Sequence, residues 1–336
     1  MRKMATVRRI VEIKVIPNAD KICAYRVDGW WVVDSVGKYS VDDLVVYLET
    51  DSWVPSALAP FLSKNQEPRV YEGVSGERLR TVRLRKQISQ GLLLDRFTVL
   101  DKVGEITEGQ DVSELLGIVK YEPPVNSQLA GMVKGLFPDK IPKTDQERVQ
   151  NLTEEIQAAV GMQFELTEKL EGASMTCYMI DGEFGVCTRN LDLKPDANNT
   201  PWAVAQRDDV EGKMRAVDEH WSWAIQGELI GPGIQGNIYK LQKPQFCVFD
   251  VYDIQTSEYL QPAARRALIE RMGLTHVPVI DEDLVLAPGV HTQLETAEGK
   301  SQLNPLQERE GIVFKSVKGG MTFKAISNSY LLGEKS

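Results

Sequence analysis

The sequence predicts an α+β protein in which a small β-barrel precedes a larger mixed domain. Three observations lead there. The chain has 336 residues, and at roughly 100–200 residues per domain that suits two domains. Charge is divided unevenly: residues 1–120 carry 18 Lys/Arg against 17 Asp/Glu, whereas residues 121–336 carry 21 against 31. The apolar pattern also changes, from short β-rich segments in the first part to interleaved helical and strand periods in the second.

In the first part, Ala24–Asp34, Val41–Leu48, Leu79–Leu84 and Gly91–Val99 are rich in β-branched, aliphatic or aromatic residues and bounded by Gly, Asp, Pro or Ser, the composition of strands. About five short strands in some 100 residues fit a small closed barrel such as an OB-fold. Near its start, Pro17-Asn18-Ala19-Asp20-Lys21-Ile22 resembles a turn of tRNA-binding OB-fold modules. Tyr121-Glu122-Pro123-Pro124 is a non-helical stretch suited to a linker, so the expected domains are 1–120 and 121–336.

In the second part, Asp145 can cap a helix carrying Arg148, Val149, Leu152, Ile156 and Val160 at helical spacing. Strands are expected over Gln163–Glu168, Ser174–Ile180, Phe184–Thr188, Trp223–Ile230, Gln245–Tyr252, Gly311–Phe314 and Met321–Lys324, and a helix over Pro262–Met272. Strands and helices without strict alternation indicate α+β rather than a doubly wound sheet.

Composition excludes several chemistries. The net charge of −9 removes overall basicity as an argument for nucleic-acid binding. Four cysteines without Cys-x-x-Cys spacing and three scattered histidines argue against a zinc site, a disulfide framework or a His-based triad. They favour a reducing, cytoplasmic compartment. No apolar run approaches the roughly 18 residues of a membrane span, and no apolar core follows the basic start, so neither a membrane partner nor a secretory signal is expected.

The chemistry-bearing residues form an ordered series: Glu168-Lys169-Leu170-Glu171-Gly172, then Arg189, Glu228 in Gly227-Glu228-Leu229-Ile230-Gly231, Phe249, Glu310-Gly311-Ile312-Val313-Phe314-Lys315, and Lys324. Each alone is common. In this order and spacing they resemble the signature of the covalent nucleotidyltransferases, the polynucleotide ligases and mRNA-capping guanylyltransferases, over most of residues 160–325. The stretch Gly231-Pro232-Gly233-Ile234-Gln235-Gly236 lacks the Lys-Ser/Thr of a P-loop and reads as a turn after the Glu228 strand. A similar Gly-rich stretch follows this glutamate in RNA ligases.

The resemblance implies roles that suit the residue types. Lys169 is the nucleophile that takes AMP from ATP. An ordinary lysine pKa near 10.4 makes the neutral amine cost about 4 kcal/mol at neutral pH, and burial or a cation lowers that cost. Glu171, Glu228 and Glu310 supply oxygen ligands for a hydrated Mg²⁺ or Mn²⁺, with Glu228 alternatively on the ribose. Phe249 and Val313 sandwich the adenine, Glu168 reads its amino group, and Arg189, Lys324 and Lys315 bind phosphate or ribose.

Only 12 residues follow Lys324, too few for the trailing OB-fold of DNA ligases and capping enzymes. The extra domain stands in front, as in RNA ligases with an N-terminal OB-fold. The segments Lys143-Thr144-Asp145-Gln146-Glu147-Arg148 and Phe323-Lys324-Ala325-Ile326-Ser327-Asn328 resemble that class too. The expected function is therefore an ATP-dependent RNA ligase, acting in RNA repair. It joins RNA 3′-hydroxyl and 5′-phosphate ends, a nicked duplex being one candidate form, through lysyl-AMP and RNA-adenylate. Two departures stand out. The last strand has Lys324 where such enzymes commonly have Lys-x-Lys, and pyrophosphate needs a substitute basic residue, for which Arg148 is the candidate. In the leading domain Arg78, Arg80, Arg83, Arg85 and Lys86 form a basic run suited to RNA phosphates. The alternatives are a tRNA- or single-strand-binding module with a degenerate second domain, or a nucleotidyltransferase of DNA-ligase or capping type. Oligomeric state is not legible.

Overall fold

The computed structural model describes the chain except for residues 1, 65, 104, 123–130, 219 and 334–336. Pro123 and Pro124 of the expected linker lie outside the described residues. The chain forms two compact units. One comprises Met1–Pro124 with Gln150–Thr153, the other Val125–Val149 with Glu154–Ser336.

In the first unit, Leu44–Leu48 is paired antiparallel on one edge with Ala5–Arg9 and on the other with Leu92–Asp95. A second sheet holds Glu12–Val15, Ile22–Val27 and Trp30–Ser35. A third holds Val119–Lys120, Ser52–Pro55, Val74–Arg78 and Arg69–Tyr71. Val7, Val46, Leu48 and Val54 pack one core, and Tyr25, Trp30, Val32 and Leu93 another. The expected strand Ala24–Asp34 is in fact a hairpin. It breaks at Asp28-Gly29, where Asp28 adopts a positive φ of 47°, a conformation Asp tolerates better than most residues. The expected strand Gly91–Val99 ends at Asp95, whose carboxylate accepts the Phe97 N–H at 3.0 Å, and continues as the helix Phe97–Val103. Gln150–Thr153 belongs to this unit because the Gly29 N–H donates to Gln150 O at 2.9 Å and Asn151 Nδ2 to Glu49 at 3.1 Å.

The second unit is built on two sheets. The first includes, in order, Leu191–Leu193, Glu183–Cys187, Ala173–Ile180, Trp223–Ile230 and Gln245–Asp253. Met175, Cys177, Trp223, Ile225, Val248 and Val251 make its core, covered by the helices Thr200–Arg207, Val210–Val217 and Pro262–Arg271. The second sheet has the order Glu147–Arg148, Thr322–Ile326, Gly311–Ser316, Gln163–Lys169, Val279–Val285.

The helix expected to carry Arg148 is not formed there. Glu147–Arg148 is a short strand parallel to Thr322–Ile326, with Arg148 opposite Lys324; a 3-10 turn follows at Val149–Asn151 and the α-helix starts only at Thr153–Ala158. Pairing to a sheet edge overrides the 3.6-residue apolar spacing. All four cysteines are buried and free. Among the described residues, no helix is long and apolar enough to cross a membrane.

Candidate active site

The site grows from strand register. Lys169 stands opposite Gly311, Thr167 opposite Val313, and Val313 opposite Lys324. Side chains directly opposite share a face, and alternate residues repeat it. One face of the sheet therefore presents Lys169, Val313, Lys315 and Lys324.

Two glycines bring in the neighbouring strand and loop. A Cβ on Gly172 would lie 2.5 Å from Leu229 O and 2.7 Å from Glu228 Cγ, so only glycine lets the chain after Lys169 pass against the Glu228 strand. A Cβ on Gly311 would collide with Ala325 O, which explains the glycine following Glu310. Lys169 Nζ donates to Glu310 Oε1 at 2.5 Å. Burial pulls the lysine pKa down, but Glu310 and Glu228 outweigh it and hold the pKa above the ordinary value. Glu228 is pushed up to about 8 by burial and by Glu310, against the attraction of Lys169 and Arg189.

Glu171 is held by two tyrosines absent from the expected site. Its backbone N–H donates to Tyr239 Oη at 2.6 Å, and its Oε2 accepts from Tyr330 Oη at 2.7 Å. Burial raises the pKa of both phenols, so they stay neutral, Tyr239 as acceptor and Tyr330 as donor. Tyr330 lies on the helix Asn328–Leu332, which Glu298 anchors by accepting from Ser327 Oγ at 2.8 Å and Asn328 N–H at 2.7 Å.

A third group is bridged by Asp145, which accepts from Lys324 Nζ at 2.9 Å and Arg189 Nη2 at 3.2 Å. Arg148 is buried beside Lys324 by the parallel pairing. Below them lies Lys315, a further phosphate candidate. Its Nζ donates to Phe249 O and Asp250 Oδ1, both at 2.6 Å, and lies 5.5 Å from the Phe249 ring centroid. Burial depresses its pKa to about 8, partly offset by Asp250. Lys315 thus supports the Phe249 strand. Fully buried Arg265 continues the network to Glu165, to Asp250 at 3.6 Å and to His276 Nε2 at 3.1 Å. A cavity of about 560 Å³ lined by Asp145, Asp250, Arg265 and Lys315 adjoins this network.

Glu168 is buried, with Oε2 accepting the Gln302 N–H at 2.8 Å and Oε1 left without a hydrogen-bond partner. Burial raises its pKa, against hydrogen bonds from Ser301 and Gln302. A buried acceptor with an unmet lone pair next to Lys169 suits an exocyclic amine. Phe249 and Val313 remain partly open.

Among the described residues, no three His, Cys, Asp or Glu side chains converge as a metal cage. The donor set still fits a hard divalent ion. Mg²⁺ keeps several waters and binds through one or two carboxylates plus phosphate oxygens. The mutual repulsion of Glu228 and Glu310 is what a cation would relieve.

In the first unit the basic run separates into two parts. Arg78 is structural, donating to Asp51 Oδ1 at 3.0 and 2.6 Å and lying 5.0 Å from the Tyr121 ring centroid. Arg80, Arg83, Arg85 and Lys86 are exposed. The last three belong to the hairpin of Val82–Leu84 and Gln87–Ser89.

A lysine held among carboxylates, with a half-open aromatic, an aliphatic partner and paired cations nearby, is the arrangement of a nucleotidyltransferase. Comparison with known proteins narrows the class. A family profile described as RNA ligase matches residues 162–326, and one described as an OB-fold domain matches residues 4–96. No curated protein sequence matches. Solved structures of Naegleria gruberi RNA ligase match throughout. A variant with ATP and Mn is 43% identical, covers 98% of each chain and has a TM-score of 0.91. The enzyme with PPi has the same identity and coverage and a TM-score of 0.92. A variant with AMP and Mn again shares 43% identity over 98% of each chain, at 0.91. The chain belongs to the RNA ligase family.

Proposed function

We propose that this ATP-dependent RNA ligase joins a 3′-hydroxyl to a 5′-phosphate in three transfers, with Lys169 as the residue that carries AMP. The observation that carries the assignment is the 2.5 Å contact between Lys169 and Glu310. It is the one lysine of the series set directly against a carboxylate of the expected metal group.

Neutral Lys169 Nζ attacks the α-phosphorus of ATP. A P–N bond forms, the bond to the β-phosphate bridging oxygen breaks, and pyrophosphate leaves. An oxygen of the RNA 5′-phosphate then attacks the same phosphorus, the P–N bond breaks, and the lysine is regenerated. Last, the 3′-hydroxyl attacks the 5′-phosphorus, loses its proton and displaces AMP. A divalent ion supplies charge neutralisation at phosphate and favours neutral lysine; Glu310, Glu171 and Glu228 are the residues to hold it. Phe249 and Val313 take the adenine between them and Glu168 Oε1 receives its amino group. Arg189 and Lys324, both held by Asp145, bind the α-phosphate or ribose, and Arg148 beside Lys324 serves the leaving pyrophosphate. The first unit, through its exposed basic hairpin, holds the strand with the 3′-hydroxyl.

The test is retention of label through denaturation after incubation with Mg²⁺ or Mn²⁺ and α-labelled ATP or GTP. Wild type takes label from ATP in preference to GTP, and Lys169→Ala takes none while keeping its unfolding profile. Label on the Ala variant would move the nucleophile elsewhere. Sealing of nicked substrates with RNA or DNA on each side then defines the ends. The match to RNA ligases over nearly the whole chain disfavours a non-catalytic binding module, a DNA ligase or a capping enzyme.

A further inference from the structure

We propose that the glycine-rich loop Gly231–Lys243 binds a terminal phosphate, that of the RNA 5′ end or that of ATP, on its backbone N–H groups. The proposal rests on the three-transfer reading, in which both substrates present a phosphate beside Lys169.

The loop folds as a run of tight turns. The Ile234 N–H donates to Gly231 O at 3.1 Å, the Asn237 N–H to Ile234 O at 3.2 Å and the Lys240 N–H to Asn237 O at 2.9 Å, so each turn ends where the next begins. Pro232 and then Gly233, at a φ of 77°, are the central pair of a type II turn. Positive φ recurs at every second residue, 44° at Gln235 and 43° at Asn237. Glycine takes that conformation freely and Asn tolerates it, but Gln does so at a cost. Backbone strain of this kind clusters at functional sites.

What the turns leave over is a set of donors. Among the described residues, the N–H groups of Gly233, Gln235 and Gly236 meet no protein acceptor, and all three residues are exposed. Successive N–H groups in turns of this kind form a concavity that attracts anions. The charges agree. Residues 121–336 carry 21 Lys/Arg against 31 Asp/Glu, yet residues 231–244 carry Lys240 and Lys243 and no acid. Both lysines are exposed.

The loop is fixed beside the chemistry. It leaves the Glu228 strand at Gly231, where a Cβ would stand 2.9 Å from Lys243 O, so its two ends close on each other. Gln235 Nε2 donates to Gly172 O at 3.3 Å. A Cβ built on Gly236 would stand 3.8 Å from Glu171 Oε1, and Tyr239 Oη accepts the Glu171 N–H at 2.6 Å. The donors therefore border a carboxylate proposed for the divalent ion, two residues beyond Lys169. A phosphate seated there would meet backbone N–H groups on one side and that ion on the other. The loop has no Lys-Ser/Thr of a P-loop; its cations stand on the returning arm instead.

Affinities are measured with Mn²⁺ on the full chain carrying Lys169→Ala, so that no AMP is transferred. One arm compares single-stranded RNA bearing a 5′-phosphate with the same strand bearing a 5′-hydroxyl; the other compares ATP with adenosine. A Cβ on Gly233 would meet nothing within 4 Å, and Asp and Asn both tolerate its positive φ, so these two substitutions differ in charge alone. Gly233→Asp should cut the affinity gained from the phosphate about 5- to 50-fold in one arm, and Gly233→Asn should keep it within about twofold. A loss in the first arm gives the loop to RNA, a loss in the second to ATP. Unchanged affinities in both arms, or an equal loss with Asn, would overturn the proposal. Lys240→Gln/Lys243→Gln leaves the turns alone and should lower the salt slope of phosphate-dependent binding by about one unit. If the Asp variant does not fold, an unchanged slope here overturns the proposal. Label from α-labelled ATP is followed on wild type in parallel. If wild type takes label while the affinities do not move, only the loop proposal falls; if it takes none, the three-transfer reading falls first.

Discussion

Lys169 Nζ and Glu310 Oε1 lie 2.5 Å apart, so the lysine proposed to carry AMP rests in an ion pair with a carboxylate of the proposed metal group. The pair stabilises the ammonium, the unreactive form. Attack requires that ammonium to give up its proton first.

The first prediction concerns pH. Because the Lys169 pKa is held above its ordinary value, the neutral fraction rises about tenfold per pH unit below that pKa. Single-turnover adenylylation at limiting metal should climb steeply from pH 6 to 8. A flat profile would mean that Lys169 does not start as the ammonium. Glu310→Ala should slow the step by orders of magnitude despite removing the ion pair, since metal placement is lost.

Glu228 carries the second prediction. Its folded-state pKa of about 8 stands above the ordinary 4.5, so the folded state binds a proton that the unfolded chain has already released at neutral pH. Its stabilising contribution is complete below about pH 4.5 and fades as pH rises through 8. Glu228→Gln mimics the protonated form. Its melting temperature should match wild type near pH 4.5 and exceed it by several degrees at pH 8.5. Equal melting temperatures at both would show that Glu228 is ionised normally.

The third prediction addresses Tyr330. Removing its hydroxyl frees Glu171 Oε2 from a 2.7 Å hydrogen bond and costs about 1 kcal/mol of preorganisation. Tyr330→Phe should raise the half-saturating Mn²⁺ about threefold to tenfold, both in calorimetric titration with ATP present and in adenylylation. Excess Mn²⁺ should recover the rate. A lowered rate at saturating metal with unchanged metal affinity would point instead to a folding role.

The fourth concerns Arg265, whose side chain is 1% exposed against a Glu165 side chain at 0%. Truncating one member of a buried ion pair typically costs 3–5 kcal/mol. Arg265→Met should lower stability by about that amount in denaturant unfolding, and weaken ATP binding through Asp250, Lys315 and Phe249. Adding Glu165→Gln should restore part of the stability. If the double variant is less stable than Arg265→Met, Arg266 alone satisfies Glu165.

The meeting of Lys169 with Glu228 and Glu310 was legible because each stands beside a glycine or within an apolar strand whose register fixes its direction. Asp145 was legible only as a helix cap. Its bridging of Arg189 and Lys324 spans 44 and 179 residues, and local pattern carries no trace of such pairs. Tyr330 and Tyr239 were missed for the same reason, and Arg265 lay within a helix, Pro262–Met272, whose partners 100 residues earlier left no local sign. Arg148 was placed on a helix because Val149, Leu152 and Ile156 repeat helically, yet two residues of parallel pairing to Thr322–Ile326 prevailed. Lys315 was named only as a further phosphate candidate, and its protein contacts were not foreseen. Its buried partners, Phe249 O and Asp250, lie more than 60 residues earlier.

The strand that ends in Lys169 is clasped by Gly311–Ser316 and Val279–Val285, both more than 100 residues downstream. Closing loops of that length is slow, because the chain entropy is spent before any contact rewards it. The first unit also closes over distance, Ala5–Arg9 on Leu44–Leu48 and Val119–Lys120 on Ser52–Pro55, but over shorter spans. The strand that ends in Lys169 should therefore be among the last to order, so a refolding chain should regain lysine adenylylation after its secondary structure.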